Sequence, residues 1–242
     1  VAIGKEALFS NTTASNNTAV GYQAGHNNTT GSYNTALGNE ALRSNTTASN
    51  NTAVGFNTMY GNTTGAFNVA VGGGYPGVLL ATMQNNTTGN YNTVLGTAAL
   101  GANTTANYNT AVGYQAGYQN TTGSQNVYLG QLTGYIGSTS SHNVFIGHAS
   151  GYFNTANGNV GIGGVGVTES AMAKNTSGTS NVAVGASALA YNTTASNNTA
   201  VGYQAGYSNT TGTNNTAVGY QSLYANTTAD NNGAFGYKAL DA

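Results

Sequence analysis

Asn17-Thr18-Ala19-Val20-Gly21 is the stretch that decides the fold, because it returns with substitutions along the whole chain. Its glycine falls at 4, 21, 38, 55, 72, 96, 113, 130, 147, 163, 185, 202, 219 and 236. Ten of the thirteen intervals are 17 residues; the others are 24, 16 and 22, and the register resumes after each, as when extra residues loop out of a fixed coil. About fourteen coils therefore fill residues 1–242 as one repeat domain, with insertions at 73–91 and 164–180. The chain opens inside the pattern and without Met, which reads as a mature fragment or an excised segment.

Within a coil the positions have separate roles. The residue before the marker glycine is apolar throughout, from Ile3, Val20 and Leu37 to Val218 and Phe235. Two places earlier stand Thr or Val, with Gly233 the exception. This period of two predicts a short strand, with the aliphatic stripe expected to face inward. The residue between, usually Ala (19, 36, 53, 111, 200), is then expected to face outward, a row of small side chains that another chain could approach closely. The fold class that follows is all-β, a parallel β-solenoid.

Two rows of Asn accompany the strands. One stands four residues before the marker glycine (17, 34, 51, 68 and onward), the other at 11, 28, 45, 62, 86, 103, 120, 154, 175, 192, 209 and 226. Stacked amides can donate from each coil to the next, and Asn tolerates corner conformations. Eleven of the second row, counting Asn175, are also formal glycosylation acceptors, but an amide held in a ladder does not project into solvent.

Composition bounds the function. Gly (36), Asn (37) and Thr (37) supply 45% of the chain, while Val, Ile, Leu and Phe supply 16%, below the roughly 20% at which disorder becomes the first reading. Disordered chains are usually charged or Pro-rich, whereas this one has nine Lys, Arg, Asp and Glu, a net charge of −1 and one proline, Pro76. That balance leaves an uncharged solenoid. Four Lys and Arg argue against nucleic acid as a partner and against a polybasic membrane patch, and no apolar run approaches the ~20 residues of a spanning helix. The absence of Cys forbids disulfides and thiolate metal sites.

Catalysis lacks material. Glu6, Glu40, Glu169, Asp230 and Asp241 look scattered, so the repeat places no acid–base pair. His142 and His148 flank one strand without a third ligand, and His26 stands apart. Gly161, Gly163 and Gly166 spell Gly-x-Gly-x-x-Gly, but Gly163 is a marker glycine and no βαβ pattern surrounds it. No enzyme, cofactor or metal is expected.

Aromatic columns remain as candidate contacts. Tyr22, Phe56, Tyr114, Tyr203 and Tyr220 follow the marker glycine, and Tyr118, Tyr207 and Tyr224 lie four residues further on. Tyr combines contact area with a polar tip and suits a glycan or a partner chain, although stacking that stiffens the coil is the simpler role. The insertions interrupt the repeat, so Tyr75 and Leu79 in one and Glu169 and Lys174 in the other are candidate loop contacts.

Asn-Val-Ala-Val-Gly (68–72 and 181–185) and Val-Ala-Ile-Gly (1–4) resemble the repeat of the YadA-type trimeric autotransporter adhesin head, a left-handed parallel β-roll. Asn-Thr-Ala-Val-Gly-Tyr-Gln-Ala-Gly with Asn-Thr-Thr-Gly is similar to repeats of bacterial surface proteins and phage tail fibres. The resemblance implies a left-handed roll in a homotrimer, an extracellular place on a cell or virion surface, attachment as the function, and a host-surface glycan or protein as partner. Ice binding is the alternative for an uncharged Thr-rich solenoid, although adjacent Thr12 and Thr13 point to opposite sides and do not make a flat two-rank plane. A glycan depolymerase is a third reading.

Overall fold

The computed structural model describes residues 1–75, 77 and 80–241. Every regular element among them is a β-strand, and each is two or three residues long. The chain divides into two compact units, Val1–Ser124 and Gln125–Ala242. The first holds β1 (Ala2–Ile3), β2 (Thr18–Val20), β3 (Thr35–Leu37), β4 (Thr52–Val54), β5 (Val69–Val71), β6 (Thr93–Leu95) and β7 (Thr110–Val112). The second holds β8 (Val127–Leu129), β9 (Val144–Ile146), β10 (Val160–Ile162), β11 (Val182–Val184), β12 (Thr199–Val201), β13 (Thr216–Val218) and β14 (Gly233–Phe235).

Within each unit, consecutive strands pair in parallel, one per coil, so the fold is a parallel β-solenoid of about fourteen coils in all. Equivalent residues face each other: Thr18 pairs Thr35, Ala19 pairs Ala36 and Val20 pairs Leu37. The 73–91 insertion leaves this register intact, because Val69 still pairs Thr93 and Val71 pairs Leu95. Extra residues loop out instead of shifting the ladder.

The phase of the strands is opposite to the sequence expectation. The central residue is buried and its neighbours point out: Ala19 is 0% exposed, whereas Leu37 and Leu95 are 46% and 50% exposed. Ala36, Ala53, Ala111 and Ala200 are likewise buried. The Ala row is therefore the core and not an interface. The cause lies in the facing wall of the coil. Three residues before the second Asn row, Leu42, Met59, Met83 and Leu100 turn into the interior from left-handed conformations (φ 45–54°) and fill it. The strand residue opposite them is Ala in three of the four coils and Val94 opposite Leu100. Where the strand residue is large, as at Tyr128 and Phe145, the facing position is Gly134 and Gly151, where a Cβ would run into the ring.

Away from the first and last coils both Asn rows are buried in the interior of their units, and they carry hydrogen bonding from coil to coil. In the first row, Asn34 N–H donates to Asn17 Oδ1 at 2.8 Å, and Asn17 Nδ2 donates to Gly31 O at 2.8 Å. In the second, Asn45 Nδ2 donates to Asn28 Oδ1 at 2.8 Å and to Ala48 O at 3.0 Å. The ladder spans the 24-residue interval, with Asn86 Nδ2 donating to Asn62 Oδ1 at 2.7 Å. The second unit repeats it through Asn175 to Asn154 at 2.6 Å and Asn192 to Asn175 at 2.8 Å. Asn103 and Asn120 are exceptions, each with a buried Oδ1 that lacks a partner. From Asn28 to Asn209 the second row is buried, so those sequon amides are turned away from solvent. Thr29 Oγ1 donates to Thr46 O at 3.0 Å and Thr46 Oγ1 to Thr63 O at 3.2 Å, a third ladder along the same corner.

The marker glycine is needed where coils touch. Gly21 has φ +138°, and a Cβ there would run into the Gly38 carbonyl of the next coil. Both the dihedral and the close approach exclude a side chain.

Candidate functional site

Because the strands turn their flanking residues outward, each unit has a strand face built from three positions: three and one residues before the marker glycine, and one after it. In the first unit this places Leu37, Val69, Leu95 and Tyr114 on the exposed surface, with Tyr33, Phe67, Tyr91 and Tyr108, five residues before the glycine, exposed at its margin. In the second it places Val201, Tyr203, Tyr220, Phe235 and Tyr237 there. Lys5 is the one charged residue at these positions in the first unit, and the second has only His148. An uncharged apolar surface of this kind, running over successive coils, is what interaction faces are made of.

The sequence-predicted aromatic residues divide between this face and another edge of the coil. Tyr22, Tyr114, Tyr203 and Tyr220 are exposed on the strand face, and Phe56 is half-buried beside it. Tyr203, Tyr220 and Tyr237 form a stack with ring centroids 5.4 and 5.3 Å apart. Tyr118, Tyr207 and Tyr224 are half-buried in the second column, where Tyr207 and Tyr224 stack at 5.0 Å. In these stacks the ring faces cover one another, so solvent meets rims and hydroxyls.

Lys174 and Glu169 lie in the second insertion. Lys174 Nζ sits 3.5 Å over the Tyr191 ring, and Tyr191 meets Tyr207 edge-on at 4.9 Å. A hydrogen bond from Tyr207, then hydrogen bonding and charge from Lys174, hold the Tyr191 phenol below its ordinary range. Burial first, and then Tyr191 as hydrogen-bond partner, push Tyr207 up. Lys174 is thus committed to an intramolecular cation–π contact. Glu169 is exposed, and its carbonyl accepts from Ser187 Oγ at 2.6 Å. The insertion is tied down by Ser170 Oγ, which donates to His148 O at 2.6 Å. In the first insertion Tyr75 is exposed, Thr82 Oγ1 anchors the return by donating to Gly96 O at 2.7 Å, and Leu79 lies outside the described residues.

Two groupings escaped the sequence reading. One is polar: Glu6, Gln23, Arg43 and Tyr60 are joined across neighbouring coils. Gln23 Nε2 donates to Glu6 Oε2 at 2.6 Å, Arg43 Nε to Gln23 Oε1 at 2.8 Å, and Arg43 Nη1 to Tyr60 Oη at 2.6 Å. The Gln23 hydrogen bond, with Lys5, His26 and Arg43 nearby, holds the Glu6 carboxyl below its ordinary range. Glu40, which shares the repeat position of Glu6 and Gln23, joins this line through Arg43 at 3.5 Å. Among the described residues no group of three or more His, Cys, Asp or Glu could hold a metal ion.

The other is aromatic. Phe67, Tyr91 and Tyr108 stand five residues before the marker glycine and stack at 5.0 and 5.1 Å with planes 5° and 1° apart. Their backbones are left-handed (φ 59°, 57° and 59°), as is Tyr33 (61°), at a position where neighbouring coils carry Asn16 and Asn50. A left-handed L-residue costs about 1–2 kcal/mol, and Asn is the type that best tolerates it. Stacking, worth about 0.5–1.5 kcal/mol per pair, offsets part of that cost for the three stacked rings. The signal was present as a fixed offset from the glycine, but Asn in the other coils hid it.

Gly161 of the Gly-x-Gly-x-x-Gly match is the centre of β10, where a Cβ would press on the Phe145 ring, so packing accounts for it. No protein-family model, curated protein or solved structure matches the chain.

Proposed function

We propose that this chain is a structural and adhesive segment of an extracellular fibre, on a bacterial or virion surface, whose parallel copies pack through the strand face. The observation that carries this reading is the outward row of Val, Leu and Ile beside exposed Tyr, nearly free of charge, in both units. Such a face left in water is unfavourable at about 25 cal/mol per Å² of apolar surface, and burying it against the same face of another copy recovers that free energy. The resemblance of Asn68–Gly72 and Val1–Gly4 to trimeric adhesin heads is the reason for three copies and for the extracellular place. Attachment to a host glycan or protein is the role of what stays exposed. Light scattering should give a multiple of 24.2 kDa, and a monodisperse single chain would contradict the packing.

Ice binding is a second reading, favoured by one observation. The outward positions of β2, β3 and β4 set Thr18, Thr35 and Thr52 in a rank, in register, beside the methyl rank of Val20, Leu37 and Val54. This rank, and not the Thr12–Thr13 type of pair, is the regular hydroxyl array. Thermal hysteresis at micromolar protein supports that reading, and its absence removes it.

A further inference from the structure

Phe67, Tyr91 and Tyr108 form a ridge at the margin of the strand face, flanked on its other side by the exposed Thr64, Thr88 and Thr105 of the corner. We propose that this ridge binds a neutral, extended polysaccharide running across the coils with one sugar ring per coil; this deepens the adhesive part of the function above by naming its ligand and its place. Ring spacings of 5.0 and 5.1 Å are close to the length of one pyranose unit along an extended glycan, so successive sugars, turned alternately, each meet one side chain. The stacked rings cover each other's faces and offer apolar rims, which suit the C–H surface of a pyranose. The phenol tips of Tyr91 and Tyr108 and the Thr hydroxyls suit its hydroxyl groups. Among the described residues, the side-chain hydroxyls of Tyr91, Tyr108, Thr64, Thr88 and Thr105 make no hydrogen bond, so their capacity is open to a ligand.

Charge selects the polymer. Residues 44–124 of this unit contain no Lys, Arg, Asp or Glu, so nothing near the ridge would recognise a carboxylate, sulfate or phosphate on an acidic glycan. The left-handed backbone points the same way: an aromatic side chain is kept in that conformation at three successive coils, at a position where five other coils supply Asn, the residue that conformation tolerates best. Because each sugar touches one coil, monosaccharides should bind weakly and oligosaccharides of three or more units markedly better.

The test uses the full chain on cellulose, chitin and mannan, with alginate as the acidic comparison, and a variant that restores the repeat's own residue, Phe67→Asn with Tyr91→Asn and Tyr108→Asn. The expected result is retention on at least one neutral polymer, competition by tri- and hexasaccharides, and a dissociation constant raised by about tenfold or more in the triple variant. The variant's mass by light scattering should equal the parent's, which separates this site from the packing of copies. Should the triple variant fail to fold, Tyr91→Phe with Tyr108→Phe keeps the stack and removes two hydroxyls, and should still weaken retention. No retention on any neutral polymer, retention on alginate alone, or equal retention by the folded variants would overturn the proposal.

Discussion

Gly134 lies directly against the ring of Tyr128, so that a Cβ on Gly134 would overlap Tyr128 Cε1 and Cδ1. The same residue has φ +58°, a left-handed conformation. Gly134→Ala should therefore combine overpacking, about 1–3 kcal/mol, with a conformational cost of about 1–2 kcal/mol. Thermal or denaturant melting should show a loss of at least ~2 kcal/mol; an unchanged midpoint would mean that the ring is free to move aside.

Tyr128 itself carries a buried hydroxyl. Ser140 is the hydrogen-bonding side chain that bears on it, yet no well-formed bond closes. Tyr128→Phe should then be close to neutral or stabilising near pH 7, because the buried hydroxyl is not satisfied. Burial raises the phenol above its ordinary 10.0 in the folded state. Below that value both states hold the proton and the stability is intact. Above it the unfolded chain releases the proton while the folded chain keeps it, so stability falls as pH rises. Between about pH 9 and about pH 11 the parent should lose more melting temperature than Tyr128→Phe. Parallel losses would contradict the assignment.

Asn62 is bonded on both sides. It donates to Asn45 Oδ1 at 2.9 Å and Gly65 O at 2.9 Å, and accepts from Asn86 at 2.7 Å. Asn62→Ala orphans buried partners and should cost on the order of 1–3 kcal/mol. Asn11, exposed and bonded to Ala14 O at 3.2 Å and from Asn28 at 3.3 Å, should cost distinctly less when changed to Ala. Equal melting shifts for the two would argue that the amides act as independent turn residues and not as a ladder.

Ala111 and Val112 are neighbours in β7 with opposite surroundings, the first buried and the second facing out. Ala111→Asp buries an unpaired charge and should abolish cooperative folding or cost several kcal/mol. Val112→Asp should leave the far-ultraviolet circular dichroism and the fold intact. The reverse outcome would restore the aliphatic stripe to the interior.

That pair shows what the sequence could and could not express. The glycine period placed every strand, and the two Asn rows announced the ladder, because both rest on a fixed 17-residue offset that needs no tertiary information. Thr-Ala-Val, by contrast, alternates equally well in either phase, and a one-residue slip exchanges the faces. The larger apolar residues would ordinarily be assigned to the core. What decides against them is the facing wall, where Leu42, Met59 and Met83 enter the interior from φ 47–54°, a conformation that apolar residues seldom adopt and that no periodicity reveals. The Phe67–Tyr91–Tyr108 ridge was hidden for a related reason: Asn, Gln and His share its column, so no uniform chemistry marked it.

The strand face is the centre of this account, and Leu95, half exposed on β6, is its most direct probe. Light scattering of the parent chain and of Leu95→Asp, at equal concentration, measures whether copies meet there. The parent should give a multiple of 24.2 kDa and the variant a shift toward the single-chain mass, with its circular dichroism unchanged. A folded variant with the parent's multimeric mass, or a parent that is monomeric at every concentration tested, would contradict it.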